Sequence, residues 1–191
     1  MQDAKTNPKG MGKFMRINKM KIDTNDLSFE FEGKHYSKSE AESLPKKTIT
    51  IALGRKEWKG LCKYVMFGIW YMNEEIKEVS DITTNVRAML LYSRVRMCKE
   101  LRAHILKCMT EDAERSSVTF TLTEWATLRD CIWQGTSWVG EHVRKSSKRK
   151  SSEKVGLEYH NMILREEQKA YENMTIEEEL SYMYDIAINY V

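Results

Sequence analysis

Cysteine is scarce in this 191-residue chain, and the little there is does not cluster. Cys62, Cys98, Cys108 and Cys131 stand 36, 10 and 23 residues apart, with no CxxC pair among them. The four histidines, His35, His104, His142 and His160, show neither HxxxH nor HExxH spacing. A structural zinc site needs clustered ligands, so none is expected, and no other cofactor is implied. No apolar run approaches the ~18 residues of a membrane span, so no membrane partner is expected. Residues 1–10 hold no apolar core of a secretory signal, so the thiols are expected to be reduced and mostly buried. Also missing are a Gly-rich phosphate loop, a GxSxG elbow and an Asp-rich metal cluster, which leaves no support for an enzyme.

What is present is a core-forming composition, 41% hydrophobic and 10% aromatic, enough for one ordinary domain or two small ones. The formal charge of +3 hides an asymmetry. Residues 1–150 carry 28 Lys and Arg against 19 Asp and Glu, whereas residues 151–191 carry 3 against 9. A basic body with an acidic tail suits a polyanion binder whose tail modulates the binding surface.

Along the chain the side-chain period changes several times. Residues 1–13 are polar, contain Pro8, Gly10 and Gly12, and read as a flexible arm. Phe14–Ile22 and Leu27–Tyr36 read as strands around an Asp23–Asp26 turn, with Leu27, Phe29 and Phe31 on one face. Ser37–Lys47 reads as a polar loop, and Thr48–Leu53 as a further strand ended by Gly54. Trp58, Leu61, Val65, Ile69 and Met72 then mark a helix over about 56–79. Residues 86–109 are ambiguous. They suit two strands or one long helix, and their Met, Leu, Arg, Lys and Glu content leans to the helix. Val118–Leu122 alternates as a strand, and Thr123 is a suitable cap for a helix carrying Trp125, Leu128 and Ile132. Residues 144–154 are basic and Ser-rich and read as a linker that does not fold alone, with serines whose phosphorylation would switch off its charge. Beyond it an acidic helical tail is expected over 155–191, with Thr175 and Glu178 in capping-box spacing.

A self-comparison gives the most specific signal. Ile49-Thr50-Ile51-Ala52-Leu53 aligns with Val118-Thr119-Phe120-Thr121-Leu122, and Glu57-Trp58 with Leu61 aligns with Glu124-Trp125 and Leu128. The run Pro45-Lys46-Lys47 into Leu53, followed by Glu57-Trp58 and Leu61, resembles the last strand and helix of the positive cofactor 4 family of transcriptional coactivators. The second copy, Ser117–Ile132, resembles the same junction without the Pro-Lys-Lys. Together the resemblance touches roughly residues 14–77 and 86–143.

That resemblance implies an α+β fold: two tandem repeats, 14–79 and 86–143, each a small antiparallel sheet followed by a helix, forming an intramolecular pseudo-dimer with a helical C-terminal tail. It resolves 86–109 in favour of strands. It also implies a groove for single-stranded DNA or RNA, DNA being favoured, in transcription or replication. Such a groove needs cations for phosphates and planar groups for bases. The residues that would supply them are Lys19, Lys21, Lys34, His35, Tyr36, Lys46 and Lys47 in the first repeat, and Arg94, Arg96, Arg102, His104 and Lys107 in the second. Arg144, Lys145, Lys148, Arg149 and Lys150 would add a backbone-binding or nuclear-targeting segment, which makes the nucleus, otherwise the cytoplasm, the expected compartment. The family's basic residue on its second strand is replaced here by Glu32, and only His35 and Tyr36 supply an aromatic end. The alternative is a protein-interaction or assembly protein working through its helices and acidic tail, including self-association through the stripe Leu180–Val191. A helical 86–109 favours that second reading.

Overall fold

Five strands and six helices make up residues 20–79, 86–109, 114–143 and 146–190, the part of the chain that the computed structural model describes. The fold is α+β, with one three-stranded and one two-stranded antiparallel sheet. Two compact units divide it: residues 1–46 with 175–191, and residues 47–174.

In the first unit the period-2 stretch folds into β1 (Met20–Asp23), β2 (Ser28–Phe31) and β3 (Lys34–Tyr36), in that order across the sheet. Residues 14–19 of the expected first strand, like the 1–13 arm, lie outside the described residues. Asp23 and Asp26 build the first turn, their Oδ1 atoms accepting from the backbone N–H of Asn25 and Ser28 at 2.9 Å each. The expected single strand 27–36 is instead a hairpin. Glu32 and Gly33 both take positive φ (50° and 81°), and this two-residue loop turns β2 back onto β3. Phe29 and Phe31 point inward as expected. The 37–47 stretch is not all loop, because Ser37 and Glu40 form a capping box that starts α1 (Lys38–Ser43). The sheet's inner face packs with α1 and α6 (Ile176–Tyr190) around Phe29, Phe31, Ala41, Leu180, Met183 and Tyr184. Tyr184 donates its hydroxyl to the Leu27 carbonyl at 2.9 Å, and Lys46 pairs with Asp185 at 2.9 Å. The expected Thr175–Glu178 capping box starts α6.

The second unit runs β4 (Thr48–Gly54), α2 (Arg55–Glu78), α3 (Val86–Cys108), β5 (Arg115–Thr121), α4 (Leu122–His142) and α5 (Ser146–Glu172). The two strands that align in sequence also pair with each other, antiparallel, with Ile49 opposite Phe120, Thr50 opposite Thr119 and Ile51 opposite Val118. Thr50 therefore aligns with its own partner, and the two hydroxyls meet at 2.8 Å. Beneath the sheet, α2 and α4 pack closely, with Trp58, Leu61, Val65, Trp125, Leu128 and Ile132 all fully buried. Two glycines make the crossing possible. A Cβ on Gly68 would run into the Cys131 carbonyl, and one on Gly135 into the Tyr64 carbonyl, so only hydrogen fits at either place. Each helix start is tied by a glutamate: Glu57 accepts from the Gly54 N–H at 2.8 Å, and Glu124 from the Thr121 N–H at 2.7 Å. The cap of α4 is thus Thr121, not the expected Thr123.

Two sequence expectations are overturned here. Residues 86–108 form one continuous helix, not the two strands of a second sheet, so the second unit repeats a strand and a helix rather than a sheet and a helix. The reason is visible along α3. Ala88, Leu91, Val95, Cys98, Leu101 and Ile105 are buried at helical spacing, and no glycine or proline interrupts residues 86–108. Nor do residues 146–154 behave as a linker: they are the opening turns of α5. Its Arg149–Glu153 and Lys154–Glu158 pairs stand at i,i+4, and the Tyr64 hydroxyl donates to the Ser152 carbonyl, so packing supplies what composition lacks.

Candidate nucleic-acid interface

The expected cations do not gather on one sheet face. Lys19, Arg144 and Lys145 lie outside the described residues. Lys21 and His35 share the outer face of the first sheet, but Glu30 sits between them in the same cross-strand row. That row sets a carboxylate between a lysine and a histidine, as a solvated face does. Lys34 is turned along its own strand, its ammonium 4.3 Å from the Tyr36 ring centre, while Tyr36 stacks on Phe29 at 4.5 Å and so belongs to the core. Lys46 is held by Asp185, and Lys47 donates to the Asn173 carbonyl at 2.8 Å. Lys148 and Lys150 are exposed on α5 and Arg149 pairs with Glu153.

The remaining five, Arg94, Arg96, Arg102, His104 and Lys107, all fall on α3, whose helical form redistributes them. His104 Nε2 lies 3.1 Å from the Thr119 carbonyl, so Nε2 carries the proton and the ring is used to fasten α3 to β5. The ring also meets Phe120 edge-on at 5.8 Å. Arg94 and Arg102 are half-buried on the flanks. Arg102 Nε is buried with no hydrogen-bond partner. Its charge also bears on the Cys62 thiol, which burial pushes up to about 11.

Arg96 and Lys107 stand on the outer face. With them, at intervals of three and four residues, come Met89, Tyr92, Lys99 and Ala103, all exposed. The stripe runs about 27 Å from Met89 to Lys107 at 1.5 Å per residue. Tyr92, Ser93, Val95, Arg96 and Lys99 line an open groove of about 470 Å³. Across the whole of α3 stand six cations and one carboxylate, Glu100, 3.9 Å from Arg96. One of the six, Arg87, is committed to Glu75 at 2.9 Å. Sequence reasoning missed Tyr92, which it placed on a strand, and Lys99, which fell between two expected strands. The signal that finds them is the three-and-four spacing with Arg96 once a helix is assumed.

The outward face of the two-stranded sheet offers Thr48, Thr50, Ala52, Ser117 and Thr119, with Arg115 at its end donating to the Ala52 carbonyl at 2.6 Å. Among the described residues there is no group of three or more His, Cys, Asp or Glu able to hold a metal ion, and no helix is long and apolar enough to cross a membrane. Comparison with protein-family models, with curated proteins and with solved structures gave no match to this chain.

Proposed function

We propose that this chain is a non-enzymatic binder of single-stranded nucleic acid, and that it binds along α3 rather than across a sheet. The observation that carries the reading is the exposed Tyr92, Arg96 and Lys99 around one groove, continued by Lys107 on the same face. The cations replace counterions on phosphates and the Tyr92 ring gives one base a stacking partner, which together suit an unpaired strand without sequence preference. The setting this implies is transcription or replication in the nucleus. The resemblance to the positive cofactor 4 family is retained in a narrower form. The strand–helix junctions are two copies of one unit, an internal pseudo-dimer, and what supports this is that Thr50 both aligns and pairs with Thr119 while Gly68 and Gly135 play matching parts where the helices cross.

The experiment is a fluorescent oligonucleotide titration across salt, with duplex as competitor. For the three exposed cations of the stripe, log K should fall against log salt with a slope near −2, about a 20-fold loss between 50 and 200 mM. Arg96→Ala with Lys99→Ala should flatten that slope to about −0.7. Tyr92→Ala should cost about 1–3 kcal/mol without changing it. A slope that these substitutions leave unchanged, or equal affinity for duplex, refutes the reading.

A second reading, an interaction or assembly protein, is supported by the helical form of residues 86–108 and by an exposed apolar face on that helix. Val86, Met89 and Leu106 are also exposed on α3, at 64%, 59% and 41%, which suits a protein partner docking on that helix. Salt-insensitive capture of a protein by the same face, with no oligonucleotide binding, would favour it.

A further inference from the structure

The opening turns of α5 carry their charge the wrong way round. Lys148, Arg149 and Lys150 follow one another there, and the first turn has no carboxylate. Cations near a helix N-terminus oppose the helix dipole, so these turns are prone to fray. Fraying has a defined limit. The Tyr64 hydroxyl donates to the Ser152 carbonyl, and Gly156 fits against Thr136 and Tyr64, which clamps the helix from Ser152 onward. Ser151 is the residue just before the clamp, and it is exposed, whereas Ser152 is half-buried.

We propose that Ser151 is a phosphorylation site for a serine kinase that recognises cations on the N-terminal side of its acceptor. Frayed to its limit, the segment presents Lys148, Arg149 and Lys150 immediately before an accessible hydroxyl. The Ser151 Oγ attacks the γ-phosphorus of Mg²⁺-ATP, the bond from that phosphorus to the ADP oxygen breaks, and the hydroxyl proton passes to the kinase's base. The product places ~1.5–2 negative charges between Lys148 and Lys154, each three residues away on the same helical face. Residues 148–154, with four cations against Glu153 alone, change from net +3 to about +1. The phosphate gives Lys148 and Lys154 the anion that the opening turns lack, so modification orders the turns that admitted the kinase. This inference stands apart from the α3 reading, since it uses neither that helix nor its groove.

The test uses the full chain, the catalytic domain of a kinase selective for basic substrates, and Mg²⁺-ATP, with the product mapped by peptide mass. One phosphate on Ser151 is expected, absent in Ser151→Ala and retained in Ser152→Ala. Amide exchange over 147–151 should slow about fivefold on phosphorylation, the worth of one charge-assisted contact at a helix end. Labelling of Ser151→Ala at the wild-type rate overturns the site, as does phosphate confined to Ser152. A phosphorylated Ser151 with unchanged exchange overturns the ordering effect.

Discussion

Gly135→Ala sets two opposed effects against each other, and the structure says which wins. Alanine in a helix interior is favoured over glycine by about 1 kcal/mol. Against this, the new methyl would overlap the Tyr64 carbonyl and stand 2.9 Å from the Gly68 nitrogen. Both are backbone atoms, so no rotamer change relieves the contact and the two helices must separate. Separation loosens Val65, Ile132, Leu61 and Leu128, all fully buried, and overpacking of this kind costs about 1–3 kcal/mol or more. A net loss of about 2 kcal/mol is expected, or a fall in Tm of about 4–8 °C for a chain of this size. Urea unfolding followed by tryptophan fluorescence reads it, since Trp58 and Trp125 are buried in the same unit. Gly140→Ala is the control. There the clashing atom, at 2.6 Å, is the end of the Glu153 side chain, which can swing away. That variant should match the wild type or gain up to about 1 kcal/mol. Gly68→Ala should resemble Gly135→Ala, and the double variant should lose less than the two together because the helices have already parted. A Gly135→Ala protein as stable as the wild type would refute the close crossing.

Glu167→Gln should destabilise by about 3 kcal/mol in the same assay, because Glu167 is 2% exposed with both carboxylate oxygens 2.7 Å from Arg129, which would keep only Asp130 as an anionic partner. Thr121→Ala should cost about 1 kcal/mol by removing the hydroxyl that caps α4. Alkaline pH should weaken the fold. Burial pushes the Cys62 thiol from an ordinary value near 9 up to about 11, and raises Tyr64 and Tyr159 as well. Between those values the unfolded chain gives up the Cys62 proton that the folded chain keeps, so the stability is full below pH 9 and falls as pH rises toward 11. A urea midpoint that holds or rises over that range would contradict the burial of these groups.

The sequence was most legible where one period dominated. The stripe from Trp58 to Met72 and the alternation from Thr48 to Leu53 gave α2 and β4 within a residue or two. The aligned segments turned out to be paired segments, a relation that no local pattern specifies. Over 86–108 the resemblance and the helix-forming composition point different ways, and burial of Ala88, Leu91, Val95 and Leu101 at helical spacing shows the composition to be the better guide. The expected interface followed the resemblance. Arg94 with Arg96, and Arg102 with His104, share a face on a strand and part company on a helix. Residues 146–154 were illegible for another reason, since their helix depends on contacts such as Tyr64 with Ser152 that lie 88 positions apart.

The pairing of β4 with β5 has a bearing on synthesis. Ile49 waits for Phe120 to leave the ribosome, and until then the nascent chain carries a lone apolar edge with the Trp58 indole lacking its Ser116 carbonyl. Two polysome-bound copies could satisfy that edge by annealing their β4 segments with each other, Thr50 against Thr50. Slow translation between residues 54 and 115 would therefore favour dimers joined through β4, and a trapped dimer fraction rising with translational pausing is their signature.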